Sequence, residues 1–334
     1  MEIDEKERML LRELSNNSRS TVTNLSEQIG CSRITTSRLL RRLVEKLKIR
    51  FTLELNTSRL GISERHIVMV KFARKPDVNA LRDFFSADMY SQNVYLTEGD
   101  YDLLIYAVTG NPVDYIRWET KVASELSEYG VVIRPSEYVF AHFGYMPLSN
   151  DFVGFIDKYN KQIDDDDKRI LSLLNQDSRM GYREIAEKLK MKEDTIRYRI
   201  FTLRKSEVIR RFTIAVQEPI GLYPISYFIN YRFNKTTTST RFALARESYM
   251  NADDHNPLLN TFQFVAPISG SYRSFGIALF NGKEAALEGA VKHHQSIFNK
   301  EDIEITYAGI SGVIKGLLPF RNLDIRTNYV KVEW

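Results

Sequence analysis

The chain has 334 residues, 43% hydrophobic and 27% charged, with a formal net charge of +4. This is the composition of an ordinary globular protein with two or three domains, or four small ones. No apolar run approaches the roughly 20 residues that cross a bilayer. The charged start MEIDEKERML has no apolar segment of a secretory signal. A single cysteine, Cys31, excludes an intramolecular disulfide framework and a Cys-built zinc cage. A cytoplasmic protein with no cofactor, no metal and no membrane contact is expected.

In chain order, the first helix is signalled by Asp4 followed by Met9, Leu10, Leu11 and Leu14. An acid there suits both cap and dipole. Asn16-Asn17-Ser18 ends it, and Val22, Leu25 and Ile29 mark a second short helix. After Gly30-Cys31-Ser32, with Ser32 as N-cap, a third helix buries Leu39, Leu40, Leu43 and Leu47. Its other face carries Arg33, Thr35, Ser37, Arg38, Arg41 and Arg42. Short helix, tight turn and basic amphipathic helix make the helix-turn-helix plan, which lays the last helix in the major groove of double-stranded DNA. Arginine can bond guanine bidentately there, while Ser and Thr reach base edges or phosphates.

Downstream the period changes to strand-like alternation over Arg50–Leu55. After Gly61 the pattern gives a strand at His66–Phe72, a helix at Val78–Phe85, strands at Asn93–Thr97 and Tyr101–Thr109, a helix at Val113–Glu128 and a strand at Val131–His142. That order, βαββαβ, is ferredoxin-like. Pro147–Asn150 reads as a turn before a helical linker, Phe152–Lys161.

Then the chain repeats itself. Ile3, Asp4, Leu11, Leu14, Ser18, Arg19, Glu27, Thr35, Leu43 and Ile49 recur as Ile163, Asp164, Leu171, Leu174, Ser178, Arg179, Glu187, Thr195, Leu203 and Ile209, an offset of 160 (163 − 3) that needs no gap and is kept by Gly61 and Gly221. Such a period is too long for a solenoid and marks a duplicated, fused domain pair. The second reading helix buries Ile196, Ile200 and Leu203 and presents Lys192, Thr195, Arg197, Tyr198, Arg199 and Thr202, with Tyr198 suited to a thymine methyl or a sugar. Two basic islands, Arg33–Arg50 and Lys188–Arg211, fall at equivalent places and form a concentrated footprint for a polyanion; the alternative is a solvated helix face. Strand Arg211–Val216 follows, then strand Ser226–Phe233, helix Phe242–Met250, strands Leu259–Val265 and Phe275–Phe280, helix Lys283–Ile297 and strand Ile303–Ile310. The expected fold class is α+β, with two winged-helix/helix-turn-helix domains alternating with two ferredoxin-like domains of the dimeric α+β barrel type. The boundaries are 1–55, 62–146, a linker at 147–162, 163–216, 222–318 and a C-terminal extension at 319–334 without counterpart in the first copy.

With these elements in this order, the chain resembles the Lrp/AsnC (feast/famine) transcription regulators, twice over. The second copy carries the string Asp164, Asp167, Ile170-Leu171, Leu174, Asp177-Ser178-Arg179, Ile185-Ala186, Thr195 to Ile200, Leu203 and Val208-Ile209. The first retains Asp4, Leu10-Leu11, Ser18-Arg19, Leu25-Ser26, Arg38, Leu40 and Leu43, but has Leu47 where glycine is expected, so its helix is expected to run on. The resemblance implies a prokaryotic, archaeal regulator acting as an intramolecular pseudo-dimer and forming further homo-oligomers. It also implies a small amino-acid-like effector at a Gly-x-Tyr-Asp turn, matched by Gly99, Asp100, Tyr101 and Asp102; the alternative is an ordinary hairpin turn. In the second copy the turn reads Gly270-Ser271-Tyr272-Arg273, an acid replaced by a base, so the two copies are not expected to bind one ligand equally. The recognition faces differ as well, and an asymmetric operator of two half-sites follows. The rival reading is an enzyme, since fused proteins of this architecture occur among the siroheme decarboxylases of haem biosynthesis, with His142, His255, His293 and His294 as candidates. The intact basic helices favour the non-enzyme. Cys31 aligns with Met191, which favours a packing role over a redox sensor.

Overall fold

In a computed structural model, the structure describes residues 4–134, 137–139, 143–144, 146–149, 151–217, 223–231, 262–280 and 303–319. The expected helices Phe242–Met250 and Lys283–Ile297, all four candidate histidines, and 320–334 lie outside the described residues.

The first unit is α1 (Glu5–Asn16), α2 (Val22–Ile29) and α3 (Arg33–Leu47). Asp4 and Glu7 close a capping box on α1, while Thr21 and Ser32 cap α2 and α3 through the amides of Asn24 and Thr35. The third helix runs on through Leu47, where glycine is expected, and ends when Lys48 takes a left-handed φ of 43°. Ile49 and Leu47 are both buried, and holding them there requires the chain to reverse at Lys48, so a lysine accepts the conformation usually left to glycine.

Strand β1 (Ile49–Leu55) leads to β2 (Glu64–Phe72), α4 (Val78–Ser86), β3 (Ser91–Gly99), β4 (Leu103–Thr109) and α5 (Pro112–Glu125). A 3-10 turn at Ser127–Tyr129 shortens the expected helix Val113–Glu128, and the expected strand Val131–His142 is interrupted at Arg134, after β5 (Val131–Ile133); β6 (Glu137–Val139) and β7 (Phe143–Gly144) follow. The linker is α6 (Phe152–Tyr159). The second unit repeats as α7 (Asp165–Gln176), α8 (Tyr182–Leu189) and α9 (Glu193–Lys205), then β8 (Ile209–Val216), β9 (Tyr223–Tyr231), β10 (Phe262–Ser269), β11 (Ser274–Phe280), β12 (Ile303–Lys315) and β13 (Leu318–Pro319).

Each ferredoxin-like half has its strands in the order fourth, first, third, second: β6-β2-β4-β3 and β12-β9-β11-β10. The halves join where β3 pairs with β12 and β6 with β10, so the sheet closes into a barrel across a pseudo-twofold axis. Closure removes the free edges that a lone ferredoxin-like sheet exposes. Val68, Val70, Ile105 and Val94 pack outward with Leu81, Phe85, Trp118 and Val122 from α4 and α5. Ile67, Met69, Tyr95, Tyr101, Phe228, Phe275 and Ile277 belong to the other core, which is continuous with the helical units.

The helical units also exchange strands. β1 pairs antiparallel with β8, with Thr52 opposite Thr213, and each strand packs on the other copy's first helix. Thr52 and Thr213 are equivalent at an offset of 161 (213 − 52), so the constant 160 stops at the strands. The extra residue lies in the second strand itself: Ile49 and Ile209 still differ by 160, but β8 has 8 residues against 7 in β1. β13 adds to β8, so the start of the expected C-terminal extension belongs to the helical units' sheet.

Candidate nucleic-acid interface

The two reading helices stand on a shared floor. Ser18 and Ser178, both fully buried, meet Oγ to Oγ at 2.6 Å. On either side Arg19 donates to the Met180 carbonyl at 2.9 Å and Arg179 to the Ser20 carbonyl at 3.1 Å. The Arg19 guanidinium lies over Tyr182 and Phe212, and that of Arg179 over Phe51. Thr52 Oγ1 donates to the Asn175 carbonyl and Thr213 Oγ1 to that of Ser15, at 2.9 and 2.8 Å. These bonds are related by the pseudo-twofold, and none involves α3 or α9, whose outer faces stay open.

Of the expected groove residues, Arg33, Thr35, Ser37, Arg38, Arg41 and Arg42 are exposed on α3, and Lys192, Arg197, Tyr198 and Thr202 on α9; Thr195 is half-buried. Arg33, Arg38 and Arg41 have no ion-pair partner among the described residues. Two other arginines are struts within their own units. Arg42 bridges to Glu7 at 2.8 Å and Asp4 at 3.3 Å. Arg199, only 24% exposed, reaches Asp164 at 2.7 Å, Asp167 at 2.9 Å and Asp166 at 3.4 Å. Hydrogen bonds to Asp164 and Asp167 hold Arg199 charged beyond its usual range, while burial pushes the Asp167 carboxyl up. Thr35 Oγ1 bonds the Ser32 hydroxyl, and Thr202 donates to the Tyr198 carbonyl.

Sequence reasoning missed two surface groups. Ile34 is 76% exposed on α3 and Phe201 63% exposed on α9, beside Tyr198 at 70%. Neither Ile34 nor Phe201 belongs to the apolar positions read from the helical spacing, and only the helix's rotation, set by packing, shows that both fall outside the core. Cys31 is half-buried against the core, as is its counterpart Met191.

The Gly99–Asp102 turn is internally engaged. Asp102 takes Lys71 Nζ and the Phe72 amide, both at 2.8 Å, and its own amide donates to the Val70 carbonyl. Asp100 accepts from the Tyr307 amide at 3.1 Å. Tyr101 is buried, with its hydroxyl 2.8 Å from Ser226 Oγ. In the second turn the backbone amides do hold a carboxylate, and it is the chain's own. Buried Glu137 accepts from Ser271 and Tyr272 amides at 2.9 and 3.2 Å, and burial raises its carboxyl. Among the described residues no cluster of His, Cys, Asp and Glu could hold a metal ion.

Residues 163–204 match the AsnC-type helix-turn-helix domain, and residues 3–46 match a winged helix-turn-helix DNA-binding domain. An HTH-type transcriptional regulator from Pyrococcus furiosus is 34% identical over 125 residues, 37% of this chain and 76% of the relative. The chain belongs to the Lrp/AsnC family of HTH-type transcriptional regulators. A second regulator, from Pyrococcus abyssi, is 43% identical over 61 residues, covering 18% of this chain and 38% of that one. The crystal structure of the siroheme decarboxylase NirDL covers 97% of this chain and 96% of its own, with a TM-score of 0.54 and 12% identity. That likeness is one of fold. It extends across both copies, so the duplicated architecture is shared by a family regulator and an enzyme.

Proposed function

We propose that this Lrp/AsnC chain is a sequence-specific transcription regulator whose single polypeptide reads one asymmetric DNA site. The observation that carries the reading is the locked pair of helix-turn-helix units: two reading helices related by the Ser18–Ser178 axis, with different exposed faces. A rigid pair sets a fixed half-site separation, near one helical turn of about 10 base pairs or a multiple of it. Arg38 and Arg197 address different half-sites in this reading.

The test is selection from a random duplex pool, followed by footprinting. Two different half-sites at one spacing are expected, with Arg38→Ala and Arg197→Ala each weakening its own. Two identical half-sites, or equal loss at both from either substitution, would contradict the proposal. Affinity falls steeply with salt as phosphate contacts release counterions.

For a small effector, an amino-acid-like ligand at Gly99–Asp102 has to displace the Lys71–Asp102 pair, and thermal-shift screening with free amino acids measures whether any does. We propose a non-enzymatic role, supported by the exposed, unpaired arginines of α3. The enzyme reading rests on shared fold with NirDL, and a Soret band shift on adding siroheme would favour it.

A further inference from the structure

We infer that the half-site facing α9 is read through thymine methyl groups, by Tyr198 and Phe201, while the half-site facing α3 supplies the charge-dependent binding; this rests on the DNA-reading role proposed above. The positions spaced i, i+1, i+4, i+5 and i+8 from the start of each reading helix share one face. On α3 they are Arg33, Ile34, Ser37, Arg38 and Arg41, all exposed, with three cations and no anion. On α9 they are Glu193, Asp194, Arg197, Tyr198 and Phe201, also all exposed, with one cation against two anions.

The single cation of the α9 face has partners of its own. Arg197 donates to Glu193 at 2.8 Å, and its guanidinium lies 4.9 Å from the Tyr182 ring centre. What remains is a strip of two aromatic rings one turn apart, 70% and 63% exposed. Helix formation does not need them there, since polar residues serve a solvated face as well. The apolar feature of a major groove is the thymine C5 methyl, and the one arginine of this face reaches guanine only by leaving Glu193. The two acids at the head of α9 repel phosphate and can accept from the amino group of cytosine. On α3, by contrast, Arg33, Arg38 and Arg41 have no partner among the described residues and remain available to guanine and phosphate.

The experiment uses the full chain and its selected duplex, with single thymines replaced by uracil, which removes only the methyl. Replacement in the α9 half-site is expected to weaken binding about fourfold per contacted methyl. The same change in the α3 half-site is expected to have no effect. Phe201→Ala and Tyr198→Ala, at exposed positions that the fold tolerates, should abolish the uracil effect. Arg38→Ala should instead reduce the slope of log affinity against log salt by about one. An α9 half-site indifferent to uracil overturns the inference and leaves DNA binding standing. Wild-type DNA affinity in both aromatic variants overturns it too, and would assign the strip to contact with another protein. Failure to enrich any duplex overturns the DNA-reading role itself, and the inference with it.

Discussion

Ser18 and Ser178 occupy the same place in two copies of one domain, 160 residues apart, and hydrogen-bond to each other, buried between the two helical units. A residue that pairs with its own repeat lies on the pseudo-twofold axis. The pair therefore marks the point about which the reading helices are disposed, and it ties fold directly to function.

Removing one hydroxyl strands the other in a dry site. Ser18→Ala is expected to destabilise the chain by about 1–3 kcal/mol, the cost of a buried polar group without its partner. The double variant with Ser178→Ala should cost less than the sum of the single ones. Urea unfolding of the four proteins of this cycle measures the coupling; strict additivity would deny the pair.

Arg199 was expected to face the groove, but its guanidinium spans three carboxylates at the head of α7. Arg199→Ala should destabilise the second unit by about 1 kcal/mol after solvent screening of the partly exposed pairs, and so lower its melting temperature. DNA affinity measured well below that temperature should be unchanged. Calorimetry and gel shift together separate the two effects, and a large affinity loss in a fully folded protein would restore Arg199 to the groove.

Gly316 joins barrel to DNA-binding floor. It lies between β12, which pairs with β3 of the barrel, and β13, which pairs with β8 beneath the reading helices. Its φ is +83°, and a Cβ there would stand 2.2 Å from Asn93 Oδ1 and 2.5 Å from the Gln92 carbonyl. Asn93 Oδ1 also accepts from the Leu317 amide at 3.0 Å, so it cannot step aside freely. Gly316→Ala is expected to cost about 2–4 kcal/mol from backbone strain and the lost bond. Separate melting of the helical units and the barrel, in place of one transition, would show that this strand couples them.

His66 lies buried on β2, stacked on Tyr115 at 3.8 Å, edge-on to Tyr138, with Glu64 3.6 Å away. Burial lowers its pKa to about 4. The folded chain thus keeps the ring neutral between pH 6.5 and 4, while the unfolded chain protonates it. Its contribution to stability is fully present above pH 6.5 and is lost as pH falls through that window, by up to about 3 kcal/mol. Burial raises Glu137, which acts in the opposite sense just above the usual carboxylate range. The comparison that isolates the histidine is therefore wild type against His66→Phe, by urea midpoints from pH 7 to 4.5. The difference between them should change steadily with pH below 6.5; a constant difference would mean that His66 titrates normally.

The helix-turn-helix units were legible because their determinants are local. Asp4 and Asp164 cap helices three residues ahead of the amides they satisfy, and the buried leucines recur at helical spacing. Strand order within each ferredoxin-like half followed from βαββαβ. The ends of elements were less legible, as at Lys48 and in the broken strand after α5, because packing decides where a chain can turn.

By itself, then, the sequence determined the duplication, the two reading helices and their unequal charges, all of which depend on neighbours within a few turns. The tertiary structure alone decided which arginines brace and which stay unpaired, and that Glu137 fills the second turn. It also decided that β1 and β8 are exchanged between copies and that the barrel closes. Arg42 and Arg38 are indistinguishable as residues one turn apart on a basic helix. Only the approach of Asp4 and Glu7, 38 and 35 residues away, neutralises one and leaves the other free. Coulombic and hydrogen-bonding partners act over a few ångströms of space, and the spacing of residues along a chain does not encode which of them will meet.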